Sequence, residues 1–261
     1  MPRALVSTLI WLGLSLPLSA QETLSVAWSH WPPFSQREAD GHLDGVDIRL
    51  TRQILQEAGL SPEFRDIPWA RALHLIERQQ LDMAMGAMDT PERRQFAHFS
   101  VPYRHASFVL LSHQGTQEAP DRWQGIARFA DLCQQTRLRL GKLRGTRPTP
   151  LTEACPSLKL AREYNSDDKL LELLLARRLD GVIMEWQHAQ HRLTQLGVQE
   201  QIQCQLLLHR QPVSLIIAKG ALSTAALARI DMAINTQRHL VPTLSAPRCR
   251  FDNTRFPDSD V

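Results

Sequence analysis

Strand-like and helix-like patterns alternate along almost the whole chain, and this alternation limits the fold more than any other feature. LSVAW (24–28) reads as an apolar strand, followed by a turn-rich stretch. From Asp47 to Ala58, the residues Ile48, Leu50, Ile54 and Leu55 share one helical face, with Asp47 as cap and Gly59 as stop. A short strand near PEFRDI, a helix from Trp69 to about Arg78 and a buried strand in LDMAMGAM follow. A new strand begins at 108–111, and a polar stretch, SHQGTQEAPDRWQG, leads into further alternation. LRLGKL, LKLAREY, GVIM, QIQCQLLLHR and PVSLIIAK read as strands. SDDKLLELLLARR (capped by Ser166), QHAQHRLTQLG and 223–239 read as helices. Such a series predicts an α/β fold with mostly parallel sheets.

The chain also echoes itself. ALHLIERQQLDMAMGAM and LLELLLARRLDGVIMEW share one plan: amphipathic helix, polar turn, Leu-Asp, buried strand. Two sheets built alike would end at comparable edges, where open α/β sheets bind ligands.

With 43% hydrophobic residues the 261-residue chain can build a sizeable core. Thirty basic and 27 acidic residues are interspersed, without a Lys/Arg block, so nucleic acid is not the expected partner. The opening, MPRALVSTLIWLGLSLPLSAQE, has Arg3, an apolar run from Ala4 to Leu18 and a small-residue end at Ser19-Ala20. This is the layout of a cleavable secretory signal over 1–20. Gly13 and Pro17 interrupt the run, which argues against the alternative of a membrane anchor. The four cysteines, Cys133, Cys155, Cys204 and Cys249, then face an oxidising space, where two disulfides are the default and three pairings exist. Because Cys133 and Cys155 flank one strand–turn–helix unit, Cys133–Cys155 and Cys204–Cys249 are favoured.

TPERRQFAHFSVPY (90–103) poses a question of charge. Thr90 is a good N-cap and Pro91 suits the first helical position, yet Arg93 and Arg94 follow at once. A cation at a helix start costs about 0.3–1 kcal/mol, so either both point to water or one is aimed at an anion. His188 and His191, three apart, have metal-ligand spacing, but a solvated polar helix face explains them better. GxSxG, HExxH and GxGxxG are absent from the sequence, and no cofactor is implied.

Taken together, WPPF…GHLDGVDIRL, PWARALHLIERQQLD, TPERRQFAHFSVPY, LRGT and RRLDGVIME resemble the family 3 solute-binding proteins, the periplasmic receptors of polar amino-acid ABC importers. The resemblance covers nearly all of the chain after the signal. It implies the type II periplasmic binding protein fold, two α/β lobes joined by crossing strands and closing on a ligand. Residues 21–108 and 213–261 would form lobe one with its tail, and 109–212 lobe two, with the hinge near 106–110 and 211–215. The resemblance gives Arg93 the role of forking onto the ligand's carboxylate, as a planar guanidinium can. It gives Thr146 a share in that carboxylate, with Arg147 adding a charge contact or facing water. Glu185 stands where the family has an Asp for the α-ammonium, or is a solvated first-turn acid. Trp31 and Trp69 would cover the apolar part of the ligand, and Gly86 and Ala87 would offer backbone only. Trp28 stands where several members have an acid, and the stretch from Asp82 to Arg93 is one residue shorter than the common pattern. The implied protein is a monomeric periplasmic binder, not an enzyme. It would serve ABC importer membrane subunits, or hand its closed form to a sensor receptor. A dehydratase-like enzyme using Glu185 is the alternative.

Overall fold

The computed structural model describes residues 22–114, 122–126, 128–145, 155–237, 239 and 246–250. The signal-like segment, Thr146 and Arg147 lie outside them. The strands are β1 (Glu22–Trp28), β2 (Gln36–Arg37), β3 (Leu43–Asp44), β4 (Leu60–Asp66), β5 (Met83–Ala87), β6 (Ala97–Phe99), β7 (Arg104–His113), β8 (Leu140–Leu143), β9 (Arg162–Tyr164), β10 (Gly181–Glu185) and β11 (Ile202–Ala218). The helices are α1 (Val46–Glu57), α2 (Trp69–Glu77), α3 (Pro91–Arg94), α4 (Phe129–Gln134), α5 (Pro156–Lys159), α6 (Asp167–Leu175), α7 (Trp186–Leu196) and α8 (Thr224–Gln237).

Nine strands run in the order β4-β1-β5-β11-β7-β10-β8-β9, with β6 also on β11. The sheet is mixed. Its flanks, β4-β1-β5 and β10-β8-β9, are parallel, whereas β11 and β7 pair antiparallel with each other and with their neighbours. β11 is the reason for two lobes. Residues 202–213 pair with β7, and residues 214–218 pair with β5 and β6, so one strand belongs to both halves.

Each half is covered on both faces, as parallel strands require. In the first lobe, Ile48, Ile54 and Leu55 of α1 pack with Ile230 and Ile234 of α8 on one face. Ala72 and Ile76 of α2 pack with Leu81 and Ile216 on the other. In the second lobe, Trp123, Leu132 and Leu158 cover one face, and Leu170, Leu174 and Leu193 the other. Cys133 is joined to Cys155, and Cys204 to Cys249. Among the described residues no helix is long and apolar enough to cross a membrane.

Three local expectations are corrected. Asp47 does not cap α1: the N-cap is Gly45 at φ 125, and Asp47 is buried in the first turn. A side chain at Gly45 would run into the Phe34 carbonyl, so the entry to α1 fits only glycine. LKLAREY is not one strand, since Leu158 and Lys159 belong to α5 and the strand begins at Arg162. The two strands expected on either side of Gln211 are one 17-residue strand.

Candidate functional site

A cavity of about 640 Å³ lies between the lobes, lined from both sides. The ends of β1, β5 and β10 and the starts of α2, α6 and α7 meet there, the carboxyl-end crevice expected of open α/β sheets.

Arg93 reaches it from α3. Thr90 does cap this turn, its hydroxyl accepting the Arg93 N–H at 3.3 Å. α3 is a single turn, so Arg93 stands at its last turn as much as its first, and little dipole cost applies. The Arg93 side chain is buried beneath the surface. Its Nη1 donates to the Met88 carbonyl at 2.9 Å, its Nη2 to the Gly145 carbonyl at 3.0 Å, and its guanidinium lies 5.5 Å from the Trp69 ring centre. Arg94 is exposed and forks onto Asp89 at 2.6 and 2.7 Å. The two arginines that open the question thus separate, one to the cleft and one to the surface.

Trp69 starts α2 and donates its indole N–H to the same Gly145 carbonyl at 3.2 Å. Gly145 follows β8, so this carbonyl is a second-lobe group holding two first-lobe side chains. Trp31 borders the cavity, packed 4.9 Å from Phe34 and 5.7 Å from His188. Gly86 borders it too, at φ 68, with its N–H on the Tyr103 hydroxyl at 2.8 Å. Ala87 turns the other way: Gly86 at φ 68 breaks the alternation of β5, so the Ala87 methyl joins Ala84 and Ile216 in the core, and Met88 lines the cleft in its place.

Glu185 ends β10 and caps α7. It is not a solvated acid: only 2% of it is exposed. Oε2 accepts the His188 N–H at 2.9 Å, while Oε1 is buried without a hydrogen-bond partner. Burial pushes its carboxyl up to about 7, against the pull of the Arg104 charge and the His188 N–H. His188 is likewise no part of a solvated face. It is 2% exposed, and its Nδ1–H donates to the Pro32 carbonyl of the other lobe at 2.6 Å. Burial holds its ring down to about 4, so it is neutral there. No group of metal-ligating side chains occurs among the described residues.

Sequence reasoning missed the pair beneath the cleft floor. Arg104 Nε and Nη2 fork onto Asp47 Oδ1 and Oδ2 at 2.6 and 2.7 Å, both side chains out of solvent. The Arg104 guanidinium sits 3.9 Å from the Phe34 ring centre. Burial alone would lower the Arg104 pKa, but the Asp47 carboxylate outweighs it and raises it. A signal was present: Asp47 falls on the apolar face with Leu50, Thr51 and Ile54, and Arg104 alternates with buried Ala106 and Phe108.

The model of bacterial extracellular solute-binding proteins, family 3, matches residues 24–239. The arginine-binding periplasmic protein of Mannheimia haemolytica is 26% identical over 121 residues, 46% of this chain and 51% of that one. The L-cystine-binding protein TcyJ of Escherichia coli (strain K12) is 21% identical over 156 residues, 59% of this chain and 55% of that one. The chain thus spans about half the length of the curated relatives it matches. Among solved structures, an ABC uptake transporter substrate-binding protein from Streptococcus pneumoniae with bound histidine superposes with a TM-score of 0.68. It is 21% identical, covering 82% of this chain and 86% of that one, and shows the shared fold.

Proposed function

The chain belongs to the bacterial extracellular solute-binding proteins, family 3, and on that premise we propose that it captures an amino acid or a related small carboxylate by closing two lobes on it. Delivery is to the membrane subunits of an ABC importer, or to a sensor receptor that reads the closed form. The chain acts as a periplasmic monomer released from its 1–20 signal. Residues 21–108 and 213–261 form the first lobe and 109–212 the second, with β7 and β11 as the hinge.

One observation carries this reading: a buried cation of the first lobe, Arg93, and a buried acid of the second, Glu185, border one cavity beside Trp31 and Trp69. That set matches a zwitterion with an apolar middle. Arg93 takes the carboxylate, with Thr146 and Arg147 adding to it. Glu185 Oε1 takes the ammonium, Gly86 offers its backbone, and the two tryptophans cover the rest. A ligand touching both lobes favours closure by its differential affinity for the closed state.

The test is a thermal-shift screen against amino acids and related carboxylates, with Arg93→Ala alongside. A ligand at 100 times its Kd adds about 2.7 kcal/mol, several degrees for this chain. The shift is expected to vanish in Arg93→Ala while the fold persists, because removing one partner of a buried charge pair typically costs about 3–5 kcal/mol. Micromolar binding retained by Arg93→Ala would exclude this role. A carboxyl poised near 7 also suits a general acid, which favours a second reading, a dehydratase-like enzyme. Glu185→Gln separates the two: a binder loses affinity for amines, whereas an enzyme keeps binding and loses turnover.

A further inference from the structure

A zwitterion balances Arg93 against Glu185, but the cleft holds one more acid that is largely shielded from solvent. Asp167 opens α6 directly behind the Ser166 cap, borders the same cavity, and has a side chain only 13% exposed. Its Oδ2 lies 3.6 Å from His188 Nε2, beyond hydrogen-bond reach. That nitrogen is also no cation: Nδ1 carries the hydrogen that goes to Pro32, leaving Nε2 as an acceptor. The neighbouring Asp168 is different, being exposed and taken by Arg192 at 2.6 and 2.7 Å. On the facing lobe, Arg104 is committed to Asp47, and Arg93 is in contact with two carbonyls and Trp69. Arg71 and Arg144 reach the cavity edge, Arg71 exposed on α2 and Arg144 paired with Glu163. The second lobe therefore brings two carboxyl groups to the cavity, the largely shielded Asp167 and the buried Glu185, and Glu185 Oε1 makes no hydrogen bond.

We propose that Asp167 is a specificity-determining residue that selects a ligand with a second positive centre: an amino acid whose side chain ends in a guanidinium or an ammonium group. Glu185 takes the α-ammonium and Asp167 the distal cation. The proposal rests on the reading that the cleft binds an amino acid. Without such a ligand, protons neutralise the pair: burial pushes both carboxyl groups up to about 7, and the negative charges of Asp168 and Glu185 add to the effect at Asp167. The position Trp28, where a first-lobe acid would suit a long basic ligand, is here apolar and buried. The acid that does this work comes from the opposite lobe.

The test compares arginine with citrulline, which has the same length and lacks the charge, by titration calorimetry at pH 7. The protein is expected to bind arginine at least 10-fold more tightly than citrulline. Asp167→Asn should remove that preference by weakening arginine at least 10-fold and citrulline less than 3-fold. Asp167→Glu should restore part of the preference. If citrulline binds as tightly as arginine, or if Asp167→Asn weakens both alike, the assignment is overturned, and the arginine-to-citrulline ratio of the unaltered protein decides even if the variant does not fold. Failure to bind any amino acid is a different result, because it removes the amino-acid reading itself and the assignment with it.

Discussion

On the first-lobe side of the cleft, Asp47 and Arg104 hold each other with two hydrogen bonds and are sealed under Phe34. On the second-lobe side, Glu185 is buried with one carboxyl oxygen making no hydrogen bond, and the largely shielded Asp167 lies nearest a neutral imidazole. The lobes also differ in how they are braced. Cys133–Cys155 lies within the second lobe and Cys204–Cys249 ties the C-terminal tail to the second-lobe part of β11, so both disulfides brace that lobe and use all four cysteines of the chain. The first lobe relies on its core and its ion pair. The difference teaches a division of labour. The floor of the first lobe is finished, its buried ion pair satisfied within the lobe, and Arg93 is the group proposed to meet a ligand anion. The second has unbalanced charge fixed on a cross-linked frame, and so has more to gain from a ligand.

Breaking the finished side is expected to have the largest effect. Asp47→Asn leaves the Arg104 guanidinium buried without its anion, which costs about 3–5 kcal/mol. At about 2–4 °C per kcal/mol for a chain this size, calorimetry should show melting lower by roughly 6–20 °C. Replacing both partners by leucine should recover most of that loss, since an apolar pair removes both charges. If Asp47→Asn melts within about 2 °C of the unaltered protein, the first lobe is not held by this pair.

Gly86→Ala probes the same floor more gently. Gly86 adopts φ 68, and a Cβ there would lie 3.3 Å from both Arg104 Nη2 and Asp47 Oδ2. A left-handed alanine costs about 1–2 kcal/mol, so a drop of a few degrees is expected. An unchanged melting point would mean the floor yields, and that the pair is less rigid than its geometry implies.

The smallest effect is one of pH, and the groups behind it all lie on the second-lobe side. Between about pH 5 and 6.5, folded Asp167 and Glu185 keep protons that the unfolded chain has released. Folded His188 and His209, both held down to about 4 by burial, lack protons that the unfolded chain carries. The two carboxyl groups make stability fall as pH rises, and the two imidazoles make it rise, so these four nearly cancel. Asp167→Asn removes one falling contribution. Relative to the unaltered protein, its stability should climb by about 1–2 kcal/mol from pH 5 to 6.5, since one proton is worth about 1.4 kcal/mol per pH unit. Melting curves at four pH values suffice, and parallel curves for the two proteins would place Asp167 in water rather than in the cleft.

What could be read beforehand follows from the range of the interactions. Helices α1, α2, α6 and α7 announce themselves through 3.6-residue periodicity, and the Ser166 cap and Gly197 stop are local chemistry. Arg93 was legible because its turn is a compact pattern. The Asp47–Arg104 pair was not, because its members lie 57 residues apart and Asp47 at a helix start mimics a cap. His188 looked like a surface residue because its partner, the Pro32 carbonyl, belongs to the other lobe. β11 looked broken because Pro212 sits at its middle. At that point the strand has left β5 and β6 and pairs with β7 alone, so proline's missing N–H matters little.

The Gly145 carbonyl has a consequence for every affinity that will be measured. It occupies Arg93 Nη2 and the Trp69 indole at once. It is therefore a tethered competitor, present at an effective concentration set by the chain and unchanged by dilution. A ligand carboxylate that takes the same N–H competes with it, so part of the observed dissociation constant is a ratio of two occupancies. Sequence changes around residue 145 can then retune affinity across all ligands together without altering the preference among them.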